Sequence, residues 1–148
     1  MGRYMGLDYG SKTVGIALTD PMKVIVSPEE TVVREREGKI RATLRRITEL
    51  AAWKDVEKIV VGDPLNMDGS RGERSGKSRE FAEQLRYRLN CEGLDIPVVL
   101  WDERLTTVGA DEILAESEVA PEDRKTYIDK IAAALILEDY MKSENKVN

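Results

Sequence analysis

The chain is 148 residues long, 41% apolar and 34% charged, with a formal net charge of −5. That is one ordinary domain with material for one core, and any nucleic-acid role must rest on local basic patches rather than on overall charge. There is no histidine and one cysteine, Cys91, which excludes Ser-His and Cys-His nucleophiles, histidine metal sites, internal disulfides and cysteine zinc clusters.

In chain order, Tyr4–Leu7 predicts a first strand and Thr13–Leu18 a second. Val24–Val33 predicts a third, interrupted by Pro28. The short connections imply an antiparallel meander. Arg36–Trp53 predicts a helix, because Ile40, Leu44, Ile47 and Ala51 fall on one face. Val56–Val61 predicts a fourth strand, and 62–76 a polar, glycine-rich loop. Lys77–Cys91 predicts a second helix, with Phe81, Leu85 and Leu89 in register. Pro97–Trp101 predicts a fifth strand. Thr106 or Thr107 is placed to cap a third helix running to about Glu116. Arg124–Lys142 predicts a final helix, and 143–148 a frayed tail. Helical crossovers before strands four and five set them parallel to strand one through right-handed connections. The expected fold is a single α/β domain over 1–142: a mixed five-stranded sheet, a three-strand meander plus two parallel strands, flanked by helices. Cys91 reads as a half-buried helix residue, and Trp53 and Trp101 as core or edge packing. The charged start at Arg3 and the lack of a long apolar stretch predict a cytoplasmic protein.

Each of the three parallel strands ends in acid: Asp8, Asp63, and Asp102 with Glu103. Sheets of this kind bind ligands at the carboxyl ends of their parallel strands. The last helix adds Asp129, and the small residues Ala132–Ala134 let it approach the sheet. Taken singly, Asp8 also reads as a turn residue or cap, Glu103 as a strand-edge residue and Asp129 as a surface acid. Together, Asp8, Glu103 and Asp129 are placed to converge. Three close carboxylates stay ionised only when a cation neutralises them. All-oxygen ligation suits Mg²⁺ or Mn²⁺, and two such ions together activate water at a phosphodiester.

Four segments carry a resemblance. They are Gly6-Leu7-Asp8-Tyr9-Gly10-Ser11-Lys12 with Gly15-Ile16-Ala17, Val60-Val61-Gly62-Asp63-Pro64-Leu65-Asn66-Met67-Asp68-Gly69, Trp101-Asp102-Glu103-Arg104-Leu105-Thr106-Thr107, and Asp129-Lys130-Ile131-Ala132-Ala133. In this order they resemble the YqgF/RuvX family of nucleases, in the RNase H-like superfamily. The resemblance implies an RNase H-like fold and a metal-dependent site with Asp8, Glu103 and Asp129 at the catalytic and metal positions. It implies ribosome biogenesis by processing of the pre-16S rRNA 5′ end or, by likeness to RuvC, Holliday junction resolution. A resolvase role would require a homodimer, whereas a processing nuclease can be a monomer. Asp63 departs from the family pattern, which has an apolar residue before the proline. It is either a turn acid or a fourth metal carboxylate.

Arg71, Arg74, Lys77 and Arg79 cluster in and after the glycine-rich loop as a phosphate-gripping arm. Arg104, beside Glu103, is suited to bidentate contact with a carboxylate or phosphate, and Lys12 is a further phosphate contact. Lys39, Arg41, Arg45 and Arg46 read as a solvated helix face, with Glu37–Arg41 and Arg45–Glu49 at pairing distance along a helix. Two other readings stand beside the nuclease. One is a piece of the actin-like ATPase fold, whose phosphate loop also reads Asp-x-Gly-Ser. The other is a non-catalytic nucleic-acid-binding module for ribosome assembly.

Overall fold

The computed structural model describes residues 2–66, 68–103 and 124–146. The strands are β1 (Arg3–Tyr9), β2 (Thr13–Thr19), β3 (Val26–Val33), β4 (Val56–Asp63) and β5 (Val98–Asp102). The helices are α1 (Arg41–Trp53), α2 (Glu73–Cys91) and α3 (Arg124–Lys146). The sheet order is β3-β2-β1-β4-β5. β1–β2 and β2–β3 are antiparallel, and β4 lies parallel to both β1 and β5. This is the mixed five-stranded sheet expected from the sequence. The helix expected near 106–116 lies outside the described residues. Among the described residues no helix is long and apolar enough to cross a membrane.

The side-chain period of two along each strand divides the sheet into two faces. Met5, Leu7, Ile16, Ile59 and Val61 turn to one face and pack with Leu44, Ile47 and Leu50 of α1 and Phe81, Leu85 and Leu89 of α2. Each such side chain, fully buried, contributes roughly 1.5–3 kcal/mol. Ala17 and Val60 turn to the other face, where α3 lays Ala133, Ala134, Ile136 and Leu137 against them. So β1 sends Leu7 and Tyr9 toward α2, and Asp8 between them toward α3.

Several boundaries differ from expectation, four of them as follows. β3 begins at Val26, because Asp20 accepts the backbone N–H groups of Met22, Val24 and Ile25 and holds them in a turn. Pro28 sits opposite Ala17 at a register shift, where its missing donor is tolerated. α1 begins five residues later than expected, so Glu37 and Arg41 do not share a helix. Gly38 lies in the turn that precedes it. α2 begins at Glu73, four residues early, and takes in Gly76. α3 runs on to Lys146, and Glu144, placed in the expected frayed tail, accepts hydrogen bonds from Tyr4 and Lys58. Two packing expectations fail outright. Cys91 is exposed, and Trp53, at the end of α1, is 71% exposed with Lys54 over its ring.

Candidate active site

Asp8 is the sixth residue of β1, on the α3 face, with one strand neighbour cut back to glycine. Asp8 pairs with Gly15 of β2, and a Cβ there would stand 1.9 Å from the Asp129 carbonyl oxygen. Only a glycine lets α3 sit this low. On β4, a Cβ at Gly62 would meet Glu103 Oε2 at 2.6 Å and Ile136 at 2.6 Å. Two glycines on neighbouring strands thus clear the floor on which Glu103 and Asp129 rest. The Glu103 N–H donates to the Asp63 carbonyl at 3.2 Å, tying the residue after β5 to the end of β4.

Asp8 and Glu103 share a hydrogen bond, and the charge of Asp129 reaches Asp8. Burial, then the Asp129 charge, push the Asp8 carboxyl up to about 6, against the hydrogen bond with Glu103 and the Arg74 guanidinium. Burial, then the Asp8 charge and hydrogen bond, push Glu103 up to about 9, and Asp63 and Asp102 add to this. Without a cation, the pair therefore holds a proton near neutrality, as two close carboxylates must. Among the described residues no three acids form a ready cage for an ion; the closed contact is the Asp8–Glu103 pair. Every donor is a hard carboxylate oxygen, the chemistry that suits Mg²⁺ or Mn²⁺.

The fourth acid is engaged elsewhere. Because it is one residue beyond Gly62, Asp63 turns to the α2 face, where it is 3% exposed. Its Oδ1 accepts the Ser75 hydroxyl at 2.5 Å and its Oδ2 the Arg79 Nη2 at 2.7 Å. Both oxygens are taken by α2, so Asp63 anchors the start of that helix. Arg79, expected among the phosphate contacts, is the other half of this pair. Arg74 donates to Glu37, and Lys77 lies within charge reach of the same carboxylate. Lys12 and Arg71 are exposed. Arg104 lies outside the described residues.

Two residues here had no sequence signal. Arg34 is only 6% exposed, with its Nη2 donating to the Gly10 carbonyl at 2.6 Å and its guanidinium 4.7 Å from the Tyr9 ring centroid. Ser75 is fully buried. Arg34 opens an alternating Arg-Glu-Arg-Glu run that reads as solvated surface, and Ser75 lies in the expected loop.

The sheet order, the α3 helix across it and the acids at its parallel ends define a fold of the RNase H type. Solved structures agree: Thermus thermophilus RuvC in complex with Holliday junction substrate covers 97% of this chain and 96% of its own, with a TM-score of 0.59 at 15% identity. A second structure of Thermus thermophilus RuvC gives a TM-score of 0.60 at 14% identity, covering 96% of each chain. A family model described as "RuvX: Holliday junction resolvase" matches residues 2–143, and the chain belongs to that family. A Lachnospira eligens protein named "Putative pre-16S rRNA nuclease" is 49% identical over 144 residues, 97% of this chain and 99% of its own. One of the same name from Agathobacter rectalis is 44% identical over 139 residues, 94% of each.

Proposed function

We propose that this chain is a nuclease that hydrolyses phosphodiester bonds at the 5′ end of a 16S rRNA precursor, with a divalent cation held by Asp8, Glu103 and Asp129. The observation that carries this reading is the pair of raised carboxyls on the α3 face with a third acid in charge reach. Burying like charges costs stability and returns nothing structural, so their placement reads as functional. Mg²⁺ or Mn²⁺ bound there would supply a nucleophilic water and charge neutralisation at the phosphate, and a second ion would take its further ligands from the substrate's oxygens. The chain's own acids set where that charge sits, and Asp8, fixed in a central strand, is the rigid member of the three. Exposed Lys12 and Arg71, with Arg74 and Lys77, are the phosphate contacts of this reading.

The names carried by the relatives favour the rRNA precursor. A second reading, Holliday junction resolution, is favoured by the family description and by the RuvC-like fold. Incubating the protein with Mn²⁺ and either a precursor 5′ end or a four-way DNA junction separates the two. The precursor is expected to be cut. Asp8→Asn should lower that rate by about 100-fold or more while leaving binding in place. Symmetric cutting of the junction by a dimer, with the precursor intact, would instead establish the resolvase.

A further inference from the structure

On the α2 face, behind Tyr9, two arginines converge on one carboxylate. Arg34 extends from the end of β3, and its side chain is 3% exposed. Arg74 extends from the first turn of α2. Between them lies Glu37, in the turn before α1. Arg34 Nε donates to the Glu37 carbonyl at 3.3 Å, and its Nη2 stands 4.0 Å from Glu37 Oε2. Arg74 Nη1 approaches Glu37 Oε1 at 3.1 Å and Oε2 at 3.0 Å. Tyr9 hydrogen-bonds the same carboxylate. Its ring, stacked 4.4 Å from Phe81, has the Arg34 guanidinium centred 4.7 Å away and that of Arg74 at 5.7 Å. Burial pushes the Glu37 carboxyl up, but the hydrogen bonds from Arg74 and Tyr9 and the charges of Arg74 and Lys77 bring it below the ordinary range.

The arrangement is well built for an anion and poorly matched to Glu37. Arg34, Arg74 and Lys77 face a single carboxylate. Arg74 spends one nitrogen on both oxygens, where a fork-to-fork contact would use two. Its Nη2 and the Nη1 of Arg34 are buried without a hydrogen-bond partner among the described residues, and so is Oε2 of Glu37, so the carboxylate and the guanidinium groups around it are imperfectly matched. Arg34 is buried while the Arg74 side chain is 40% exposed, and an unused buried donor is uncommon enough to call for an acceptor. A phosphate, with more oxygens than a carboxylate, would take up these donors. Beside the nest lies a cavity of about 140 Å³ lined by Tyr9, Glu37, Lys77, Glu80 and Phe81, more than a single water needs. The turn carrying Glu37 continues into Gly38, which is exposed, and a Cβ there would touch nothing, so Glu37 can swing out without disturbing the core.

We propose that Arg34, Arg74 and Lys77 form a binding nest for a backbone phosphate of the nucleic-acid substrate, and that Glu37 occupies it until that phosphate displaces it. Arg34 also holds the Gly10 carbonyl, two residues past Asp8, and the Arg74 charge reaches Asp8. The nest therefore receives a phosphate neighbouring the one to be cut and registers the strand against the acids. This inference rests on reading the chain as a nuclease and adds an internal competitor to it.

The test is fluorescence anisotropy of the full chain with a labelled RNA duplex in EDTA, at fixed ionic strength, with thermal unfolding as a check on folding. Glu37→Gln, which keeps the shape and removes the charge, should tighten binding about tenfold. Glu80→Gln removes the same charge from the rim of the same cavity and should change affinity by less than about twofold. In an Arg74→Ala background, Glu37→Gln should give no gain. No gain from Glu37→Gln alone, an equal gain from Glu80→Gln, or a gain that survives Arg74→Ala would each overturn the nest. A separate cleavage assay in Mn²⁺ keeps the two readings apart. Normal cleavage without the Glu37→Gln gain removes the nest alone. The gain without cleavage by any variant or metal removes the nuclease alone.

Discussion

The two ends of β1 carry charge in opposite ways. At its start, Lys58 of β4 donates to Tyr140 at 2.8 Å and to Glu144 at 3.2 Å, while Tyr4 donates to Glu144 at 2.9 Å. Lys58 and Glu144 there are partners of opposite sign, and Trp101 and Tyr140 close over them edge to face. At its other end, Asp8, Glu103 and Asp129 crowd acid against acid on the same face of the same sheet, under the same helix. α3 spans both, with Asp129 near its start and Glu144 near its end. The paired end reads as a clasp between helix and sheet. Crowding acids in this way works against the fold, which is the balance expected of the proposed cation site rather than of a structural contact.

The largest expected effect comes from breaking the acidic end mechanically. Gly15→Ala sets a methyl group 1.9 Å from the Asp129 carbonyl, a backbone atom that cannot rotate away. α3 must lift, so both α3 packing and the gathering of Asp129 toward Asp8 are lost. A stability loss of about 3–5 kcal/mol is expected in denaturant melts, at the upper end for single substitutions. A loss below about 1 kcal/mol would mean that the close approach is not required. Asp63→Ala comes next. It leaves the Ser75 hydroxyl buried without its acceptor and Arg79 without its partner, and should cost about 2–4 kcal/mol, discounted because Arg79 is partly exposed. Unlike changes at the other acids, it should leave cation binding, read by calorimetry, in place.

Asp63 also shows how far a sequence can be read. The order of strands, their directions and the acids at their ends follow from hydrophobic runs, turn lengths and crossover handedness, and all of these are local or topological signals. Which face an acid takes depends on register. A shift of one residue moves a side chain across the sheet, and the last apolar residue of β4 does not say whether the strand stops at Val61 or continues to Asp63. Arg34 was illegible for a related reason. It shares its run with Arg36, and only the three-dimensional path of the chain past Lys12 makes one buried and the other exposed. Gly15, in contrast, belongs to the motif that follows Asp8, but its reason, the carbonyl of a residue more than a hundred positions away, requires the fold.

A third prediction inverts the usual sign of mutation. Asp8→Asn removes a half-buried like charge, so without metal at pH 7 it should raise stability by about 1–2 kcal/mol. Asp8 is raised from an ordinary 3.8 to about 6 in the folded chain. Its contribution is therefore fully present below 3.8 and lost as pH rises through about 6. In EDTA, the melting temperature of the unaltered chain should fall across that window, and further toward the Glu103 value of about 9. Mn²⁺ should reverse the fall, and Asp8→Asn should flatten it. A variant no more stable than the parent in EDTA would mean that the acids do not strain the fold.

The paired end supplies the smallest effect, with the opposite dependence. Burial pushes the Glu144 carboxyl up, but hydrogen bonds from Tyr140, Tyr4 and Lys58, and the Lys58 charge, outweigh it and hold it below its ordinary 4.5. A depressed carboxyl contributes stability above its ordinary value and loses it as pH falls through the folded value. Tyr4 is raised above 10.0, first by burial and then by the bond to Glu144, so its share persists up to the alkaline limit. Glu144→Gln should cost less than about 1 kcal/mol at neutral pH, because the Glu144 side chain is 40% exposed and solvent screens the pair. As pH falls below the ordinary 4.5 and through the folded value the cost should disappear, because the protonated parent has already lost the charge that the variant lacks. The acidic end has the opposite sign: it loses stability as pH rises, while this end gains it. Melts of Asp8→Asn and Glu144→Gln in EDTA should therefore diverge from the parent with opposite slopes. Parallel curves would mean that the two ends are not electrically distinct, and that the crowding at Asp8 is an ordinary surface arrangement.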